Sequence, residues 1–277
     1  MAIRNINLKQ GLKSSIVLGW RIETNWANLF IVFLVKCSKP LAVALMLSAM
    51  YSIASGPNAE IYDLAWVITG VCIWGFIQSA TELFAFSVVG EREWFRNIKN
   101  IITAPTPLVI YLLGRTSLWL PVGFLNLLLI LLLGNSYLNL GLNFSDIKLL
   151  ELSLTLFFGF ISVISLGLLV AGITLITPRF SEGTAFGVTG ILYLLSGAII
   201  KIDLLPNLLQ YISNILPFTH WIEIIRYTLF VYFREDSLPI SEFIYTSFFF
   251  CIFSSLVYKF CLYHARKVGK IDSATMY

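Results

Sequence analysis

Six stretches of the chain are apolar over roughly twenty residues, the length a helix needs to cross a bilayer core of about 30 Å. They are 32–54, 64–88, 108–133, 149–176, 184–202 and 240–263, each bounded by charge or by Gly and Pro. The pattern predicts an all-α integral membrane protein with six transmembrane helices, forming a single transmembrane domain over 1–277.

Three segments between these runs have a different pattern. Within 1–28, the apolar residues Ile6, Leu8, Leu12, Ile16, Val17 and Trp20 are interleaved with Lys9, Lys13, Arg21 and Glu23. This is the pattern of an amphipathic helix lying in the membrane interface; a solvated basic tail is the other reading. The loop 90–105 combines Glu91, Arg92, Glu93, Arg96 and Lys99 with Trp94, Phe95, Ile98 and Ile101, and Pro105 and Pro107 end it. A short helix with charges and exposed aromatics suits docking of a soluble partner, whereas ordinary basic anchoring at the interface is the plainer reading. The segment 203–239 is too apolar for a common loop and, with Pro206 and Pro217, too interrupted to span. It reads as a re-entrant helical hairpin, because broken backbone at membrane depth survives only where protein or water covers it, or as an amphipathic helix resting on the outer interface.

Charge adds orientation. Of the 19 Lys and Arg residues, thirteen fall on the side of the N-terminus and four on the other, with Lys36 and Lys39 inside the first run. The positive-inside rule then places both termini in the cytoplasm of a cell (plasma) membrane protein. Lys36 and Lys39 read as snorkelling to the headgroups, or as a pair facing a cavity. The first 25 or so residues lack the compact apolar core of a signal peptide. Cys37, Cys72, Cys251 and Cys261 show no C-x-x-C spacing and are expected to be free thiols.

Candidate chemistry is sparse. There is no G-x-x-x-x-G-K-[ST] run, so the chain is not expected to bind or hydrolyse ATP itself. His220 and His264 are expected on opposite faces, which removes a shared metal site, and nothing points to nucleic acid. Trp74, Gln78 and Glu82, at four-residue spacing, share one face of the second helix and are candidates to line a pathway, with snorkelling of Glu82 as the alternative. Pro217, Phe218, His220, Trp221, Glu223 and Arg226 form the polar and aromatic stripe of the outer segment. Gly183, Gly187 and Gly190 permit close helix packing, either within the chain or with a second copy.

Together these features resemble the permease subunits of the ABC-2 family. The residues that carry the likeness are Glu91 to Glu93, Ala104-Pro105 and Gly114-Arg115 around the first inner loop, then Leu205-Pro206 and Leu216-Pro217-Phe218-Thr219 with the helix ending Ile225-Arg226-Tyr227. Where many drug-exporter permeases carry Gly-Thr-Leu after the loop acid, this chain has Trp94-Phe95-Arg96. The resemblance implies an exporter of two permeases, the second a copy of this chain or a relative, and two separate ATPase subunits that hold the ATP and Mg. It implies a coupling helix over Glu91 to Ile101, an extracellular gate around Pro217 to Arg226, and a lipophilic, amphiphilic or glycan-type substrate. A secondary carrier driven by an ion gradient is the competing class, although the chain shows neither buried carboxylates in series nor an internal repeat.

Overall fold

The structure is a computed structural model that describes residues 8–25, 27–55, 61–138, 149–178, 181–229 and 239–269. Arg4, Lys148, Arg179, Arg234 and Lys270, used above for orientation, lie outside the described residues, as do the side chains of Lys39 and Glu182. Among the described residues, eleven α-helices and two short turns follow one another: α1 (Leu8–Thr24), α2 (Leu29–Ser55), α3 (Ile61–Val89), a π turn (Gly90–Trp94), α4 (Ile98–Thr103), α5 (Leu108–Arg115), α6 (Trp119–Leu138), α7 (Leu149–Ile176), α8 (Ser181–Leu195), a 3-10 turn (Ile202–Leu204), α9 (Asn207–Ile215), α10 (Pro217–Leu229) and α11 (Ile240–Val268). No strand occurs among the described residues.

Five segments are long and apolar enough to cross a membrane, and they correspond to five of the six expected runs. Of these, α3 is the axis of the bundle: it packs against α2, α6, α7, α8 and α10, and 67% of its most apolar window is buried, against 13% for α2 and 17% for α11. Those two therefore turn most of their surface outward, as helices facing lipid do.

The run expected over 184–202 does not form one helix. The 15 residues of α8 rise only about 22 Å at 1.5 Å per residue. Its continuation is stopped at Gly197, whose φ of 69° is a left-handed conformation that glycine adopts without a Cβ penalty. The chain then meets α3 at Gly70, where an added Cβ would lie 1.9 Å from the Ala198 carbonyl oxygen. What α8 leaves uncovered, α10 fills. Phe218, at the start of α10, stands edge-on to Trp74 at 6.3 Å, and Trp221 packs 6.0 Å from Phe76 and against Gly159 of α7. Arg226, two turns later, has reached Trp66. Thus α10 climbs from the middle of α3 toward its N-terminal end.

Arg226 holds this break together. Its side chain is buried, and its guanidinium donates to the carbonyls of Gly197 (3.1 Å), Ala198 (2.9 Å) and Trp66 (2.9 Å), while lying 3.7 Å from the Trp66 ring centre. Helix ends leave carbonyls without partners, and a planar guanidinium with five donors in a fixed fork can serve several acceptors at once.

At the other end of the bundle, α1 lies along α5. The seam is backbone on backbone. A Cβ on Gly19 would sit 2.3 Å from the Arg115 carbonyl oxygen, and one on Gly114 would sit 2.5 Å from the Ser15 side chain. The glycines singled out above do not serve this purpose within the chain: Gly183, Gly187 and Gly190 are exposed, with nothing within 4 Å of the position a Cβ would occupy. Close approach is made instead by glycines of α1, α3, α5 and α7.

Two outcomes follow. Arg226→Met strands the buried carbonyls of Gly197 and Ala198, each costing about 1–3 kcal/mol when unsatisfied, so thermal unfolding in detergent should show a clear fall in midpoint, with Arg226→Lys between it and the wild type; a wild-type midpoint for Arg226→Met would contradict the clamp. Gly19→Val should pry α1 from α5 and expose α1 to limited proteolysis, whereas Gly187→Ala should leave the digestion pattern of the isolated chain unchanged.

Candidate coupling turn and inner cavity

The loop after α3 is built with its charges inward. The π turn wraps the end of the central helix so that Glu91, Arg92 and Glu93 are 4%, 2% and 3% exposed. Arg92 bonds Glu93 through Nε (3.0 Å) and donates through Nη1 to the carbonyl of Thr174 (3.0 Å), in the last turn of α7, where carbonyls otherwise lack partners. Glu91 accepts from the Tyr111 hydroxyl and lies 3.9 Å from Arg115 Nε. Arg115 continues to Glu23 of α1 (3.4 Å), and Glu23 to Lys36 of α2 (2.8 Å). An alternating ionic chain, Glu91, Arg115, Glu23, Lys36, therefore runs across four elements. Buried networks of this kind hold only when each member is partnered.

This corrects the expectation that Glu91, Arg92 and Glu93 form part of a docking surface. They are internal ties between the turn and α5 and α7, with α1 reached through Arg115. The reason lies in the π turn, which with its extra residue per turn swings three successive charges toward acceptors and donors under the end of α3. The continuous helix expected over Glu91 to Ile101 is also broken: Arg96 takes a φ of 50°, a conformation uncommon outside glycine, and α4 starts afresh at Ile98. What remains outside is aromatic and basic. Trp94 is 63% and Phe95 50% exposed, with Arg96 and Lys99 beside them on the exposed side, while Ile98 and Ile101 turn inward.

Above this turn is a cavity of about 640 Å³ bounded by α1, α2, α3, α6 and α8. Trp74, Gln78 and Glu82, grouped by their spacing on α3, all line it. Gln78 Nε2 donates to Glu82 Oε1 at 2.7 Å, and Trp74 stacks on Tyr193 of α8 with ring centres 5.3 Å apart. Lys36 lines the cavity as well, paired with Glu23, so the cavity-facing alternative describes it rather than snorkelling. Trp94 borders both the cavity and the outside, a connection that spacing alone did not suggest.

The residues of the outer stripe are packed rather than open. Pro217, Phe218, His220, Trp221 and Arg226 are buried and Glu223 is half-buried; His220 Nε2 is 2.9 Å from the Asn214 carbonyl, tying α10 back to α9. Among the described residues, no group of three or more His, Cys, Asp or Glu side chains is placed to hold a metal ion. Cys37, Cys72, Cys251 and Cys261 are free thiols.

The inward and outward halves of the turn differ in what they contribute. Arg92→Leu should remove a buried ion pair with Glu93 and the bond to the Thr174 carbonyl and cost about 3–5 kcal/mol, read as a fall in the unfolding midpoint. Lys99→Ala, on the exposed face, should stay within about 0.5 kcal/mol of wild type. The reverse order would show that the turn is not folded as described.

No curated protein matches the chain. A family model does: residues 15–230, from the middle of α1 through the end of α10, match the family described as ABC-2 type transporter. That match covers the seam of α1, the inward-tied turn, the cavity and the α9–α10 unit, and with it the chain belongs to the ABC-2 type transporter family, as a multi-pass membrane permease domain that is not itself catalytic.

Proposed function

We propose that this chain is the membrane-spanning subunit of an ATP-driven exporter in the plasma membrane, powered by a separate ATPase that carries the ATP and Mg. The observation that carries the reading is the division of labour within one turn. Its charges are tied into α5, α7 and α1, while Trp94 and Phe95 are left outside next to Arg96 and Lys99. Large aromatics exposed at a bundle end, rimmed by basic residues, suit a protein interface. Force applied there has a rigid route inward, since Trp94 borders the cavity and Glu91 is linked through Arg115 to α1 and α2.

In this reading α8 is the fifth of six spans, with both termini cytoplasmic. It is short because α9 and α10 form a re-entrant hairpin that completes it from the outer side and closes the path as an extracellular gate. The cavity lined by Trp74, Gln78 and Glu82 receives the substrate. The exposed face of α8 with Gly183, Gly187 and Gly190 meets a second permease, because small residues allow backbones to approach closely in lipid.

Purification of the tagged chain from its native host in mild detergent should recover a soluble P-loop ATPase. Trp94→Ala combined with Phe95→Ala should lose that partner while the chain keeps its elution profile. An ATPase retained by this variant would contradict the docking edge. Recovery of the chain alone, with transport that follows an ion gradient and ignores ATP, would replace the exporter with a secondary carrier.

A further inference from the structure

The cavity is not uniform along its length. On α3 its lining runs from Val71 to Phe86, fifteen residues and so about 22 Å, and the polar residues lie from its middle toward the coupling turn, with the apolar Val35, Leu83, Phe86 and Trp94 around them. There Lys36 of α2, Glu23 of α1 and Gln78, Ser79 and Glu82 of α3 come together; both signs of charge are present, with Lys36 Nζ held 2.8 Å from Glu23 and Glu82 bonded to Gln78. The other half is closed by Val43, Val71, Val122 and the stacked Trp74 and Tyr193, with Trp119 at the join.

From this polarity we infer that the cavity binds a single-chain amphiphile with a zwitterionic head, the head lying between Lys36 and Glu82 and the chain running toward Trp74 and Tyr193. The inference deepens the exporter reading and rests on it for the direction of movement, but not for binding. Volume argues for one chain: about 640 Å³ falls within the range of sites that take a drug-sized ligand. Charge argues for a zwitterion. A purely anionic head pairs with Lys36 but stands against Glu82 and Glu23, and a purely cationic head has the opposite conflict. A head with both signs meets each charge with its opposite, and like-charge juxtaposition is how such sites reject the wrong ligand. The hydrocarbon chain gains from burial on Val71, Val122 and the aromatic pair in proportion to the area removed from water.

The test is competition binding of radiolabelled lysophosphatidylcholine to the purified full-length chain in a non-ionic maltoside detergent. The competitors are unlabelled lysophosphatidylcholine, lysophosphatidylglycerol and an alkyltrimethylammonium of matched chain length. The zwitterion should compete best. Glu82→Gln should improve the anionic competitor relative to the cationic one by roughly tenfold, the scale of one charge-assisted contact, and Lys36→Gln should shift the ratio in the opposite direction. Val43→Trp, at the apolar end, should weaken all three together, and it keeps the test open if Lys36→Gln fails to fold. Equal ranking of the three heads, or shifts of the same sign in Glu82→Gln and Lys36→Gln, would overturn the inference. No ATPase takes part in this measurement, so a failure here leaves the exporter reading standing, and loss of the ATPase partner leaves the binding result standing.

Discussion

A buried charge inside a helical bundle must be satisfied there, because neither lipid nor a packed core supplies water to do it. The arrangement of this protein follows from how three arginines meet that constraint. Arg226 serves the carbonyls left where α8 stops at Gly197. Arg92 serves a carbonyl at the end of α7. Arg115 joins the acids of the turn and of α1. Each contact lies where a helix ends short of, or departs from, a simple span. Remove these contacts from the description and what is left is a set of apolar rods around α3 with no reason to end where they do.

The consequence for function is stiffness at one end and a defined opening above it. The turn after α3 is bound to α5, α7 and α1, so it moves with them, and only its aromatic edge is free to meet another protein. The cavity is bordered by Trp94 on that edge and reaches Trp74, which stacks on Tyr193 of α8 inside it and meets Phe218 of α10 edge-on.

Much of this was legible in the sequence and part was not, for identifiable reasons. The long apolar runs found α2, α3, α7 and α11 to within a few residues, because lipid imposes length and composition directly. Helix periodicity puts Trp74, Gln78 and Glu82 on one face of α3, and that face borders the cavity. Hydropathy counts residues but not backbone breaks, so the run through Gly197 read as one span. Loop charges usually face water, and nothing in the letters Glu-Arg-Glu showed that Tyr111, Arg115 and the end of α7 would be waiting beneath them. Glycine spacing on α8 left open a contact within the chain or with a second copy; the tight contacts within the chain fall at Gly19, Gly70 and Gly114, where a single glycine meets its neighbour and no repeat announces it.

The central claim is that Trp94 and Phe95 are the free edge of an otherwise inward-tied turn and the place where an ATPase seats. Hydroxyl-radical footprinting with mass spectrometry, on the wild-type chain alone and then with its ATPase bound, measures this without altering a residue. Strong oxidation of Trp94 and Phe95 in the free chain, lost on ATPase binding while the buried Trp74 and Trp221 stay unmodified in both, is the predicted result. Trp94 protected in the free chain, or oxidised equally with the ATPase in place, would contradict the account.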